Sequence, residues 1–141
     1  MRDNAAMDTT ENANVARVRE YLQALEAGAT GEALRRYFAA DAVQIELPNR
    51  LNPKGGRSDL ATLLRRSEEG KAVLQRQTYE VGMAVAQGDR VAMEARWTGV
   101  LAIPLATLKA GDAMVAHFGM FFELEGGRIK LQRNYDCFEA F

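Results

Sequence analysis

The second half of the chain constrains the fold most. From Leu74 onward, "LQRQTYEVGMAVAQ", "RVAMEARWTGVLA", "AMVAHFGMFFELE" and "RIKLQRNYDCF" alternate in polarity; "GD" turns the first pair, "IPLATLKAGD" crosses over, and "GG" turns the last pair. A period of two is the signature of strands, because successive side chains leave opposite faces. Each segment reads as about 10 residues or more against a usual strand of ~5–6, so the right-handed twist accumulates and the sheet has to curl. The concave side of such a sheet needs a cover.

The first half supplies it. From Thr10, Val15, Val18, Leu22 and Leu25 recur at helical spacing with Tyr21 beside them, and Gly28 ends the helix. Thr30 caps a short second helix through "EALRRYF", where Leu34, Tyr37 and Phe38 share a face. "ADAVQIELP" then reads as a strand, with Val43, Ile45 and Leu47 alternating against Gln44 and Glu46 until Pro48. "NRLNPKGGR" reads as a loop, and Ser58 caps a third helix carrying Leu60, Leu63 and Leu64 up to Gly70. The expected class is α+β: a cone-shaped barrel of a strongly curved, mostly antiparallel sheet closed by three helices from the N-terminal half. Residues 1–9 read as a loose tail and 10–141 as one domain.

Charge narrows the partners. The 18 basic and 19 acidic residues are interspersed and sum to −1, which leaves no electrostatic footprint for nucleic acid. No stretch approaches the ~20 apolar residues of a membrane span, and the N-terminus has no apolar leader. A lone cysteine, Cys137, excludes an internal disulfide, and a single histidine leaves no Cys/His metal cluster, so a reducing cytoplasmic setting with no metal or cofactor is expected.

The helix-strand junction "YFAADAV", the "GGR" ahead of the third helix and the ending "GGRIKLQRNYD" resemble the SnoaL-like branch of the nuclear-transport-factor-two-like superfamily, over about residues 12 to 139. The resemblance implies a cone fold, a hydrophobic pocket and a homodimer through the open sheet face. It implies no single activity, because the superfamily spans ketosteroid isomerases, polyketide cyclases, dehydratases, an epoxide hydrolase and non-enzymatic binding modules.

Asp136 is the residue most out of place, an acid in the last strand. Alternation puts Lys130, Gln132, Asn134 and Asp136 on one face, with Ile129, Leu131, Arg133, Tyr135 and Cys137 on the other. Asp136 reads either as a general acid or base lining the cavity or as the partner of an arginine such as Arg133. By resemblance to SnoaL-like cyclases, His117 would relay the proton with Asp136. The strand phase leaves two placements: Met114, Ala116, Phe118, Met120, Phe122 and Leu124 turned to the helices with His117 outside, or that apolar face turned to a dimer partner with His117 inside. The expectation carried forward is His117 inside.

Tyr21 matches the helix-one tyrosine that ketosteroid isomerases use as an oxyanion donor, and Glu46, on one count from "AADA", falls where they carry their basic aspartate; a count back from Pro48 gives Leu47. That isomerase logic is a known case. Glu94, Arg96 and Asp136 loosely resemble the acid–arginine–acid set of limonene epoxide hydrolase. Trp97, Phe118, Phe121, Arg96 and Asn134 are expected to line the pocket. The function expected is cofactor-independent acid/base chemistry of isomerase, cyclase or dehydratase type on a small hydrophobic carbonyl or cyclic compound. The alternatives are a non-catalytic small-molecule-binding or dimerisation module and an epoxide hydrolase.

Overall fold

The structure, a computed structural model, describes residues 6–141. Helix α1 (Thr9–Glu26) starts at a capping box: Glu11 N–H donates to Asp8 Oδ1 at 2.8 Å, and Asp8 N–H donates to Glu11 Oε1 at 3.0 Å. The buried Glu11 also accepts from Gly88 N–H at 2.6 Å, tying the helix start to the turn at the far end of the sheet. Residues 7–9 are therefore part of the fold, contrary to the expected loose tail: the box satisfies helix N–H groups, and Met7 Sδ accepts from Ala86 N–H at 3.2 Å. The rest of that expectation, residues 1–5, lies outside the described residues.

Helix α2 (Glu32–Arg35) is a single turn, shorter than "EALRRYF" suggests, and its cap is Gly31 at φ 57° rather than Thr30. Strand β1 (Phe38–Glu46) takes over Phe38, which pairs with Ile129. Gly56 and Arg57, from the end of the expected loop, join Ser58 and Asp59 in strand β2 (Gly56–Asp59) on β1, so Ser58, the expected helix cap, is buried opposite Gln44 and Asp59 caps α3 (Leu60–Glu69) instead. A 3₁₀ turn at Gly70–Ala72 leads to β3 (Leu74–Gln87), β4 (Arg90–Leu101), β5 (Ala113–Glu125) and β6 (Arg128–Phe138).

The six strands form one sheet in the order β2-β1-β6-β5-β4-β3, antiparallel except where β1 runs parallel to β6. α1 packs on β3 and β4, and α3 on β1. The core between them joins Val18, Tyr21 and Leu22 of α1 and Leu60, Leu63 and Leu64 of α3 to the inner residues of β4 and β5. On β4 these are Val91, Met93, Ala95, Trp97 and Leu101; on β5 they are Met114, Ala116, Phe118, Met120, Phe122 and Leu124. Of the two phases open in the sequence, the apolar face of β5 is the one turned to the helices.

An irregularity in β6 decides which of its side chains face in. Leu124 pairs with Ile129, but Glu123 pairs with Leu131, so Lys130 is an extra residue. Ile129 and Gln132 are consequently both buried, and Lys130 points to solvent, where it meets Glu125 at 2.9 Å. Strict alternation had put Lys130 on the face of Gln132; the bulge removes it.

Candidate functional site

β1 and β6 bring polar side chains side by side under the helices. Their parallel register sets Gln44 level with Gln132 and Glu46 level with Asn134, and paired residues share a face. Across the other edge of β6, Gln132, Asn134 and Asp136 stand opposite Phe122, Met120 and Phe118, all buried. The result is a polar strip of Gln44, Glu46, Gln132, Asn134 and Asp136 next to an apolar one.

Within the strip the amides are oriented. Gln132 Nε2 donates to Asn134 Oδ1 at 2.8 Å, and Asn134 Nδ2 donates to Asp136 Oδ1 at 3.3 Å. Gln132 is only 4% exposed, and its Oε1 accepts no hydrogen bond among the described residues. An orphaned buried acceptor costs about 1–3 kcal/mol. Glu46 is the better-served acid: Asn49 and Asn52, from the loop after β1, each donate a side-chain N–H to it at 3.0 Å. Burial, and then the nearby Glu46 carboxylate, push the Asp136 carboxyl up to about 6, against the pull of the Asn134 hydrogen bond.

An aromatic wall adjoins Asp136 through Phe118, its partner on β5. Trp97 stacks on Phe118 with centroids 5.5 Å apart, Tyr79 lies 6.2 Å from Phe118, and Phe138 meets Trp97 edge-on at 6.2 Å. Gln77 Oε1 accepts from Trp97 Nε1 at 2.9 Å and from the Tyr79 hydroxyl at 3.3 Å, which fixes both rings. Burial raises the Tyr79 phenol well above its ordinary value, helped by Tyr21, Asp136 and Glu26, so Tyr79 and Asp136 feel each other across the interior. Tyr21 sits edge-on to Phe38 at 5.1 Å, and burial likewise holds its phenol neutral. A cleft of about 640 Å³ between the end of α1, Ser67 and the start of β3 includes Gln77 in its lining.

The structure places Asp136, Glu46, Tyr21, Asn134, Trp97 and Phe118 on the helix-covered side. His117, Arg96 and Phe121 are on the other. His117 bonds Glu139 Oε2 through Nε2 at 2.8 Å, with its side chain 58% exposed. It pairs with Cys137 and Arg96, whereas Asp136 pairs with Phe118, so the expected His117–Asp136 dyad is not assembled. One residue of offset in a strand reverses the face. The same rule turns Arg96 and Glu94 outward beside the buried Ala95 and Trp97, which dismantles the epoxide-hydrolase arrangement. Phe121 is 44% exposed and stands edge-on to Tyr135 on the outer face, outside the pocket it was expected to line.

Four residues of the site were not singled out in the sequence: Gln44, Gln132, Gln77 and Tyr79. Gln132 was visible as a member of the Asp136 face. The other three depend on how β1 and β3 register against their neighbours. Two further hollows, about 500 and 560 Å³, lie on the outer face, the second holding His117 and Arg96. Among the described residues, no three His, Cys, Asp or Glu side chains are grouped so as to hold a metal, and no helix is long and apolar enough to cross a membrane.

The SnoaL-like domain family matches residues 18–132. Among solved structures, the chain is similar to a proposed SnoaL-like polyketide cyclase from Jannaschia sp. CCS1, with a TM-score of 0.75 at 17% identity over 94% of this chain and 91% of that one. A proposed polyketide cyclase from Xanthomonas campestris superimposes with a TM-score of 0.74 at 22% identity, over 90% of this chain and 92% of that one. A protein of ketosteroid isomerase-like fold from Catenulispora acidiphila, in complex with trimethylamine, gives 0.61 at 20% identity over 82% and 84%. Among curated proteins none matches significantly. At these identities the structural likeness establishes the fold alone.

Proposed function

The chain belongs to the SnoaL-like domain family, and from that premise we propose that it catalyses cofactor-independent proton transfer, of isomerase, cyclase or dehydratase type, on a small hydrophobic carbonyl or cyclic compound. The observation that carries this reading is Asp136: a half-buried carboxyl beside a second acid, adjoining an aromatic wall and held at about 6. A carboxylate tuned toward neutrality accepts a proton from carbon and returns it more readily than an ordinary one.

In this mechanism the ionised Asp136 takes a proton from the carbon next to a carbonyl. The C–H electron pair moves into the C–C bond and the carbonyl oxygen becomes an enolate. The neutral phenol of Tyr21 donates a hydrogen bond to that oxygen, and Asp136 returns the proton to the same or a conjugated carbon. Glu46, held by Asn49 and Asn52, keeps Asp136 basic by repulsion. Trp97 and Phe118 offer flat apolar surface to a ring.

The test is deuterium uptake by 2-tetralone in D₂O, followed by NMR. Wild type accelerates exchange with a rate that rises through pH about 6 as Asp136 ionises, and Asp136→Asn abolishes it while tetralone affinity stays within a few-fold. Unchanged exchange in Asp136→Asn would refute the proposal.

A second, non-catalytic reading draws support from the same geometry. Asp136, level with Phe118 and within electrostatic reach of Tyr79, suits a small organic cation with Glu46 adding negative charge behind it, the kind of ligand carried by the Catenulispora protein. Trimethylammonium binding by calorimetry that strengthens as pH rises through about 6, with no tetralone exchange, is the result this reading expects. We further propose a homodimer through the outer sheet face, where Met83, Val85, Phe121 and Tyr135 are each 46% to 53% exposed or, for Phe121, 44%.

A further inference from the structure

We propose that Gln132 sets the polarity of ligand recognition, so that the site selects a mostly apolar molecule carrying a neutral hydrogen-bond donor, a hydroxyl or N–H, and discriminates against one offering only an acceptor at that point. The proposal deepens the reading of the polar strip that ends at Asp136 as a ligand site and rests on it.

The chain of amides from Asp136 to Gln132 has a direction. An ionised Asp136 accepts and cannot donate, so Asn134 turns its Nδ2 toward it. The Asn134 carbonyl then faces the other way and takes Nε2 of Gln132. That leaves Gln132 with its carbonyl oxygen at the end of the amide chain, inside the protein and accepting no hydrogen bond among the described residues. Reversing Gln132 alone would set its oxygen against the Asn134 oxygen; reversing both amides would set the Asn134 oxygen against the Asp136 carboxylate. The chain therefore transmits the polarity of the acid to its far end, and what the far end lacks is a donor.

The surroundings narrow the donor's carrier. Phe122 is level with Gln132 on β5, and the buried Met120 is level with Asn134, so a ligand lying along this edge meets hydrocarbon on one side. Gln44 is level with Gln132 on β1. A rotation bringing its amide onto Gln132 Oε1 is the competing arrangement, in which the protein satisfies the oxygen itself and has no donor preference.

A matched pair of probes reads the difference at equilibrium, with no turnover required. 2-Naphthol and 2-methoxynaphthalene share a ring system and differ in the donor. Binding of each is measured at pH 8 by the shift of the Trp97 indole N–H resonance. The expected result is that wild type prefers 2-naphthol by at least about tenfold, equivalent to ~1.4 kcal/mol, and that Gln132→Met and Gln132→Leu reduce the preference to about twofold or less while both probes still shift Trp97. Equal affinities in wild type, no binding of either probe, or a preference that survives both substitutions overturns the proposal; so does a preference lost in Asp136→Asn but untouched in the Gln132 variants, since the acid would then be the acceptor read. Tetralone exchange is measured separately, so a protein that fails to catalyse yet keeps a Gln132-dependent preference refutes the proton-transfer reading without touching this one.

Discussion

Replacing Asp136 by asparagine removes an ionisation that the fold resists, and the structure says how much that resistance is worth. The carboxyl lies at about 6 against an ordinary value of 3.8, chiefly through burial. At ~1.4 kcal/mol per pKa unit, keeping Asp136 ionised costs the native state about 3 kcal/mol. The sign follows from which state holds the proton. Below 3.8 the residue is protonated in both states and costs nothing; between 3.8 and about 6 the unfolded chain has released the proton while the fold still keeps it; above about 6 the full cost is present. Asparagine has the shape of the protonated acid and no proton to lose. Urea unfolding of wild type and Asp136→Asn at matched pH cancels the titration of the acids that do not interact with Asp136. The variant should be more stable by about 2–3 kcal/mol at pH 8 and by under ~0.5 kcal/mol at pH 3.5. A gap that is independent of pH, or a variant less stable than wild type at pH 8, would show that Asp136 is held by favourable polar contacts and would remove the physical basis for calling it a tuned base.

Glu46→Gln should lower the Asp136 midpoint only part of the way toward 3.8, because burial is the larger cause and Glu46 the smaller; a ¹³C-detected carboxyl titration reads this, and no movement would mean that the two acids do not interact. His117→Ala should leave tetralone exchange within about twofold, as befits a side chain on the face opposite Asp136; loss of exchange would restore His117 to the chemistry. Asp8→Ala should cost about 1 kcal/mol in urea by opening the capping box, and no loss would mean that the start of α1 is held by other contacts. Phe121→Glu should convert a dimer to a monomer in light scattering, and an unchanged mass would exclude the outer face near Phe121 as the interface.

The elements were largely legible because each carries its own local signal. The helical stripe of Val15, Val18 and Leu22 and the alternation of β4 and β5 hold in the structure because they come from burial on one side of a regular backbone. Where local signals competed, the expectation slipped by a few residues. Ser58 and Asp59 are both good caps, and strand pairing with Gln44 took the first and left the second for α3. The site was legible only in part: Asp136, Asn134, Glu46, Tyr21, Trp97 and Phe118 fall on the covered side, while His117, Arg96 and Phe121 do not. Those three err together, since in a strand a chemical preference for one residue cannot be honoured without moving its neighbours to the other face.

Taken alone, the sequence determined the fold class, three helices and five of the six strands, and the presence of an acid in the last strand, because these depend on spacing along the chain and on which residues avoid water. It also held both phases of β5 open, and nothing local distinguishes an apolar face that packs on helices from one that packs on a partner. Tertiary structure decided that question by placing α1 and α3 over one face. It also decided the extra residue at Lys130, which brings Ile129 and Gln132 to the same side, and the parallel register that sets Glu46 beside the Asp136 strand. Asp136 is tuned by burial and by a neighbour 90 positions away in the chain, and neither exists until the sheet is assembled.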